Sequence, residues 1–228
     1  MLKKSIVRMA RVLVVLSVPV FLLLSNLYIF MSPAFLRYEY GKADFPPSSG
    51  FTDEERLEVA RKAVTYLRSN AGVELLGDLQ GEEGPLFNER ELVHMADVKV
   101  LTIQAFLAHG LLALVIAFSL GVLLVIRDTP TQISNSFLQG SLLTIALLIA
   151  VVAAAYLNFD WFFTGFHLTF FEGNSWIFER SDTLIRLFPE RFWFDAATLW
   201  GFLTLAEAVA LGVAALLCSR LTYSRLTR

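Results

Sequence analysis

The sequence is poor in the residues that usually stabilise small soluble domains or hold metal ions. Only one of its 228 residues, Cys218, is a cysteine, so no disulfide forms within the chain and no cysteine pair can bind zinc. Charged residues make up 18% of the sequence, and no basic patch with base-reading residues occurs, so we expect no nucleic-acid partner. The three histidines form no H-E-x-x-H motif, and we expect neither a metal ion nor another cofactor.

Apolar residues are abundant instead. They account for 56% of the chain, whose mean hydropathy is +0.59, far above that of an ordinary soluble domain. Each of four stretches, residues 12–31, 100–126, 137–157 and 196–218, is about as long as the roughly 20 residues that a helix needs to cross a bilayer. Because backbone groups in lipid must be paired, these segments should be helices. The sequence therefore predicts an all-α membrane protein that forms a single membrane domain over residues 1–228.

The distribution of charge predicts the orientation of these spans. Lysines and arginines cluster at one set of ends, whereas the connecting segments 32–96 and 158–195 are rich in acids. Positive flanks stay in the cytoplasm, so both termini should be cytoplasmic and the two longer loops should be structured and face outward. The flanking cations are Lys3, Lys4, Arg8, Arg11, Arg127, Arg220, Arg225 and Arg228.

Two helix starts are predicted within the first outer loop. Thr52 and Glu55 are spaced as a capping box, and apolar residues follow at helical spacing, which indicates a small amphipathic helix. Asn88 and Glu91 repeat the pattern ahead of a helix that should continue into the second span.

On this second helix, His94 lies three residues from both Glu91 and Asp97. Carboxylates at this spacing can approach the imidazole, raise its pKa and orient its ring, as in acid-base sites. The alternative is a solvated helix entry at which Lys99 extends toward the lipid headgroups.

The second outer loop is dense in aromatic residues that surround another histidine, His167. A polar turn, residues 172–175, follows it and offers a permissive glycine, short side chains and backbone amides that could face a developing oxyanion. An aromatic belt at the membrane boundary explains part of this composition. The aromatic residues are Phe159, Trp161, Phe162, Phe163, Phe166, Phe170, Phe171, Trp176, Phe178, Phe188, Phe192, Trp193 and Phe194.

The third histidine, His109, should lie too deep in the second span to share a site with His94, since 15 residues of helix separate them by about 22 Å. Glu207 enters the fourth span to a similar depth. Because ionisable groups within a membrane usually pair, we expect a contact between His109 and Glu207 that is mainly structural.

Several segments resemble one known family. They are His94 to Lys99 after an acidic helix start, His167 followed by Phe170 and Phe171, residues 173–176 (Gly-Asn-Ser-Trp), and residues 187–189 (Leu-Phe-Pro). These features, together with the number of spans and the order of the loops, resemble the bacterial lipoprotein intramolecular transacylases over almost the whole chain.

The resemblance implies an enzyme of the bacterial plasma membrane, with its active site at the extracytoplasmic face. Its substrate would be a diacylated lipoprotein N-terminus within membrane lipid. The sn-2 acyl chain of the S-diacylglyceryl-cysteine would move to the same cysteine's α-amino group, giving a lyso-form lipoprotein. His94 and His167 correspond to the family's essential pair.

Roles for the neighbouring residues follow from the chemistry of acyl transfer. One histidine would act as base and the other as acid, in either order. Asp97 or Glu91 would orient His94, and Asn174, Ser175 or nearby amides would stabilise the oxyanion. Ser175 is also a conceivable nucleophile.

Two other functions compete with this one. The histidines could bind a metal ion with Asp97 or Glu172, as in an intramembrane hydrolase. Alternatively, the chain could be a non-catalytic membrane assembly subunit whose aromatic loop docks a partner helix.

Overall fold

A computed structural model describes residues 2–48, 50–82, 84–126, 128–171 and 173–226. The helices in these ranges are α1 (Leu2–Ser25), α2 (Leu27–Phe30), α3 (Pro33–Tyr40), α4 (Asp53–Arg68), α5 (Glu74–Gly77), α6 (Glu89–Val125), α7 (Pro130–Leu157), α8 (Phe159–Phe170), α9 (Thr183–Leu187) and α10 (Glu190–Leu226). Two short antiparallel strands, β1 (Gln80–Gly81) and β2 (Gly84–Pro85), precede α6.

Four helical stretches among the described residues are long and apolar enough to cross a membrane: Leu2–Phe30, Glu89–Val125, Pro130–Leu157 and Glu190–Leu221. This confirms the predicted helical membrane fold with four spans. The 37 residues of α6 are about 55 Å long, well beyond the roughly 30 Å of a hydrocarbon core. The apolar part of α6 begins near residue 100. Residues 89–99, which include several charged side chains, therefore form an extension of α6 outside its membrane-spanning segment.

The chain divides into two compact units. The bundle unit consists of Met1–Asn26, Phe106–Leu157 and Trp200–Arg228. The loop unit consists of Leu27–Ala105 and Asn158–Leu199 and contains both predicted outer loops.

Within the bundle unit, α1 packs closely against α7 at Gly140. A Cβ atom added there would lie 2.8 Å from Val18 Cβ. Ser136, Ser141 and Thr144 lie near this glycine on α7, and each hydroxyl donates to the carbonyl four residues earlier. Small residues with self-satisfied hydroxyls allow helix backbones to approach closely in lipid.

Replacing Gly140 with alanine should therefore destabilise the bundle unit by about 1–3 kcal/mol, the usual cost of overpacking. Adding Val18→Ala should recover part of this loss, because it removes the atoms that the new methyl group meets. Thermal unfolding in detergent measures both effects. Gly121→Ala on α6 is the matched control, since nothing lies within 4 Å of its added Cβ. Equal melting temperatures for the Gly140 and Gly121 variants would contradict the packing argument.

His109 and Glu207, two ionisable residues of the bundle unit, contact the end of α1 and the residue that follows it. The Ser25 hydroxyl lies 3.0 Å from His109 Nε2, and Phe21 stacks on the His109 ring with centroids 4.5 Å apart. Asn26, the residue after Ser25, donates from Nδ2 to Glu207 Oε2 over 3.1 Å. His109 and Glu207 thus bind consecutive residues of the chain, which supports a structural role for both.

The loop unit has its own hydrophobic core, and a buried arginine links its segments. Arg56 of α4 is 3% exposed and lies over the rings of Tyr40 and Phe45. It donates to the carbonyls of Pro46 and Leu187 at 2.7 and 3.4 Å, and the Tyr40 hydroxyl donates to the Leu187 carbonyl at 2.7 Å. These bonds hold the end of α9 against α3 and α4. The buried hydrophobic residues of this core are Phe35, Leu36, Val59, Ala60, Ala63, Val64, Tyr66, Leu67, Leu76, Phe87, Met95, Leu184, Leu187, Phe192 and Ala196.

The capping box predicted at the start of α4 is confirmed. Thr52 Oγ1 accepts the Glu55 N–H at 3.2 Å, and Glu55 Oε2 accepts the Thr52 N–H at 2.8 Å. The two free amides at the helix start are therefore satisfied reciprocally.

Candidate active site

The start of α6 is fixed by Glu91, which is 1% exposed. Its Oε2 accepts the Asn88 N–H at 2.9 Å while Asn88 Oδ1 accepts the Glu91 N–H at 3.0 Å, so the second predicted capping box is also present. Its Oε1 accepts the Leu184 N–H of α9 at 2.6 Å. The Glu91 carboxylate thus accepts backbone N–H groups from the start of its own helix and from α9, and it joins α6 to α9. These hydrogen bonds of Glu91 go to Asn88 and Leu184, so they do not support the expectation that Glu91 orients His94.

Asp182, just before α9, strengthens the same junction. It accepts hydrogen bonds from Asn88 Nδ2 and from the Arg90 guanidinium, each at 2.9 Å. At the other end of the extension, Lys99 donates to the Ala71 carbonyl and lies 4.2 Å from the centroid of the Tyr66 ring. These contacts hold residues 89–99 within the loop unit, and they give Lys99 a protein partner where the alternative interpretation placed lipid headgroups.

His94 projects from this anchored extension into an aromatic pocket. Its ring centroid lies 5.0 Å from that of Phe171 and 5.1 Å from that of Phe178. Its Nδ1 atom is buried and has no hydrogen-bond partner among the described residues. The His94 ring is therefore held by packing, with one nitrogen unused by the protein.

His167, in the last turn of α8, enters the same pocket. Its Nδ1 lies 2.8 Å from the Phe163 carbonyl, one helical turn earlier. A carbonyl oxygen can only accept, so this bond requires a proton on Nδ1 and leaves the lone pair of the neutral ring on Nε2. The ring stacks on Trp176 with centroids 4.7 Å apart and lies 5.7 Å from Phe171.

The two imidazoles thus share Phe171 as a neighbour, although 73 residues separate them in the sequence. The pKa of His94 is lowered to about 4, mainly by burial and also by positive charge on His167, while Asp97 opposes both effects. Burial also lowers the pKa of His167, against the raising effect of its bond to Phe163. Both rings are therefore neutral at pH 7, the state in which an imidazole can accept a proton.

The other residues predicted to act at this site are Asp97 on α6 and those of the polar turn, residues 172–175. The Ser175 hydroxyl donates to Asp97 Oδ2 over 3.4 Å, which links the polar turn to α6. Gly173 has a φ of 66°, and the Asn174 carbonyl accepts the Ile177 N–H at 3.1 Å, so this segment is a tight turn. The Asn174 side chain is exposed. Glu172 lies outside the described residues.

Sequence reasoning overlooked Trp176 as an individual residue. Its indole Nε1 is buried without a hydrogen-bond partner among the described residues, although its ring stacks on His167. A density of aromatic residues suggests a belt, and nothing in that pattern singles out one ring whose N–H is unpaired. Within the described ranges, no group of three or more histidine, cysteine, aspartate or glutamate residues is arranged to hold a metal ion.

The lowered histidine pKa values predict a pH dependence of stability. Unfolded histidines bind protons near pH 6.5, whereas His94 in the folded protein does so only near pH 4. The contribution of neutral His94 is therefore complete above pH 6.5 and is lost as the pH falls toward 4. Melting temperatures measured across this range should fall less steeply for His94→Gln than for the unchanged protein. Parallel curves for the two proteins would contradict the assigned pKa shift.

These features define a helical membrane protein with two neutral imidazoles in an aromatic pocket of its loop unit. The sequence model of the family "Lipoprotein intramolecular transacylase Lit" matches residues 11–193, which is most of the chain. The protein therefore belongs to the Lit family.

Individual proteins resemble this chain in sequence or in fold. An uncharacterised protein of Aquifex aeolicus (strain VF5) is 32% identical over 166 residues, which cover 72% of this chain and 73% of the relative. Solved structures of the membrane-integral lipoprotein intramolecular transacylase Lit from Bacillus cereus share the fold. One, of a histidine-to-arginine variant, has a TM-score of 0.79 and 18% identity, with 100% of this chain and 97% of that chain covered. Another has a TM-score of 0.79 and 19% identity over 97% of this chain and 99% of that chain.

Proposed function

We propose that this protein moves the sn-2 acyl chain of an S-diacylglyceryl-cysteine to the α-amino group of the same cysteine, which yields a lyso-form lipoprotein. Membership of the Lit family supports a lipoprotein transacylase. The observation that carries the finer assignment is the placement of His94 and His167 around Phe171, both with lowered pKa values.

The proposed reaction conserves protons overall. The neutral amine attacks the ester carbonyl, a C–N bond forms, the C–O bond to the glycerol breaks, and one proton passes from nitrogen to oxygen. Because an α-amino group has a pKa near 8 and a secondary alkoxide is strongly basic, the step needs a base and then an acid. Nucleophile and ester belong to one molecule, so positioning them accounts for much of the remaining acceleration.

His167 is the better candidate for the base. Its Nδ1–H is fixed on the Phe163 carbonyl, which presents the Nε2 lone pair to the substrate. Once His167 is protonated, its charge disfavours a second proton on His94. We therefore assign one shared proton to the pair, with His94 assisting its delivery to the departing alkoxide. Asp97 tempers this effect by favouring positive charge on His94.

The exposed apolar residues of α8 suit an acyl chain. Trp161, Phe166, Leu168 and Phe170 are exposed on the same helix that carries His167. Such side chains are costly in water and favourable against lipid. We accordingly place the site at the extracytoplasmic surface of the bacterial plasma membrane, with both termini in the cytoplasm and the substrate supplied from surrounding membrane lipid.

A synthetic diacylglyceryl-cysteine lipopeptide with an isotope-labelled sn-2 chain tests this function. Incubation with the purified protein should leave the total mass unchanged and move the label to the α-amino group, as fragmentation in mass spectrometry would show. Label released as free fatty acid would instead indicate a hydrolase, the class that includes the metal-dependent alternative. Recovery of unaltered substrate under conditions where the protein is folded would favour the non-catalytic assembly subunit.

A further inference from the structure

We propose that the indole N–H of Trp176 binds the ester carbonyl oxygen of the substrate as that oxygen becomes negative during acyl transfer. This inference rests on the proposed function and adds a third catalytic residue to the two histidines. The ligand it assigns to Trp176 is a carbonyl oxygen that turns into an oxyanion.

The first observation is an unused donor. Trp176 Nε1 is buried, and it has no hydrogen-bond partner among the described residues. Buried indole N–H groups normally find an acceptor, because leaving one unpaired forfeits its interaction with water. Elsewhere in the loop unit, even the exposed Trp193 donates its N–H to a protein acceptor, the Phe188 carbonyl, at 3.0 Å. The Trp176 donor is thus left available for an acceptor that the protein itself does not supply.

The second observation is where this donor is held. The Trp176 ring stacks on His167 with centroids 4.7 Å apart and an interplanar angle of 29°, and it forms a T-shaped pair with Phe163 whose centroids are 6.2 Å apart. The turn that begins at Gly173 and closes through the bond from Ile177 N–H to the Asn174 carbonyl delivers residue 176 to this position. The donor is therefore fixed beside the ring that we assign as base.

The third observation concerns the competing donors in the pocket. The Ser175 hydroxyl is directed to Asp97, and the Asn174 side chain is exposed. The Arg90 guanidinium lies over Phe178 but is bonded to Asp182. Phe171 and Phe178, which flank His94, have no side-chain donor. Apart from the two histidines, Trp176 is thus the described side chain bordering the pocket whose donor is both buried and unengaged.

The chemistry of such a donor suits catalysis. An indole N–H only donates, so it cannot compete with the histidines for the moving proton. In the tetrahedral intermediate the carbonyl oxygen carries a full negative charge, and a hydrogen bond to it is stronger than one to the neutral ester. A preorganised donor of this kind lowers the barrier without contributing equally to substrate binding.

Replacing Trp176 with 3-benzothienylalanine isolates the donor, because sulfur takes the place of the N–H in a ring of almost the same shape. We expect kcat to fall about 10²–10³-fold, the usual effect of removing one oxyanion donor, while KM and the melting temperature stay close to those of the unchanged protein. Trp176→Phe should show at least the same loss. The matched control is the same replacement at Trp193, whose N–H is bonded to the Phe188 carbonyl and which should retain its kcat.

The outcomes separate this inference from the function on which it rests. An unchanged kcat for the benzothienyl variant, or a rise in KM alone, overturns the role of Trp176. If that variant is fully active while His94→Ala and His167→Ala are inactive, only the Trp176 assignment fails. If the unchanged protein does not move the labelled acyl chain, the proposed function itself fails. A lower kcat with normal KM and normal melting supports both.

Discussion

Replacing His167 with alanine should lower the rate of acyl transfer by about a hundred- to ten-thousandfold, the usual contribution of a general base. The Nε2 lone pair, which the Phe163 carbonyl presents by holding Nδ1–H, is lost with the ring. The fall should appear in kcat measured with the labelled lipopeptide. Added imidazole should restore part of the activity, since removal of the ring leaves a space bordered by Phe163 and Trp176.

His109→Gln provides the matched control for a lost imidazole. His109 belongs to the bundle unit and contacts Ser25 and Phe21, so its replacement should affect melting more than kcat. His94→Ala should resemble His167→Ala, and the double variant should be little worse than either single one because the two residues would handle one proton. Retained activity in either single variant would remove that histidine from the mechanism.

Loss of the Glu91 carboxylate should have a large effect on stability. Glu91→Ala should lower the free energy of unfolding by about 1–3 kcal/mol for each buried donor that it leaves unpaired. The Leu184 N–H is such a donor, whereas the N–H of the exposed residue Asn88 also loses its acceptor but can bond to water instead. Thermal unfolding in detergent measures the loss. Glu89→Ala on the same helix is the control, because Glu89 is exposed and should change stability little.

Activity measurements on the Glu91 variant separate two roles. Anchoring of α6 to α9 predicts that Glu91→Ala lowers melting and that kcat per folded molecule falls only modestly. A normal melting temperature together with a large fall in kcat would instead favour the role predicted from the sequence, in which Glu91 orients His94.

Local patterns in the sequence were sufficient for the membrane spans and for both capping boxes. Apolar length predicts a span and Ser, Thr or Asn followed three residues later by Glu predicts a cap, because each depends on neighbouring residues only. The hydrogen-bond partners of Glu91 show where prediction from local patterns ends. Its bond to Asn88 is local, but its bond to Leu184 joins residues 93 positions apart, and no spacing rule indicates such a contact.

The histidine pair likewise combines a local feature that the sequence predicts with long-range contacts that it does not. The i to i+3 spacing places Asp97 where it favours the charged form of His94, but burial outweighs this effect, so the pKa is lowered where the spacing alone predicts a rise. The shared contact with Phe171 and the bond from His167 to Phe163 depend on α8, a helix in a segment whose sequence predicts a structured, aromatic outer loop but no particular helix. Aromatic composition alone does not reveal which ring stacks on an imidazole, so Trp176 could be found only from the structure.

The hydrogen bond from His167 Nδ1–H to the Phe163 carbonyl also determines how the imidazole exchanges protons. With Nδ1–H occupied and the ring enclosed by Phe163 and Trp176, the imidazole exchanges protons through one nitrogen only. It cannot pass a proton across its ring to a second group, as a histidine in a proton wire does. In the proposed reaction, each proton that Nε2 accepts would therefore leave from the same atom, and the departing alkoxide would take it and return His167 to its neutral state.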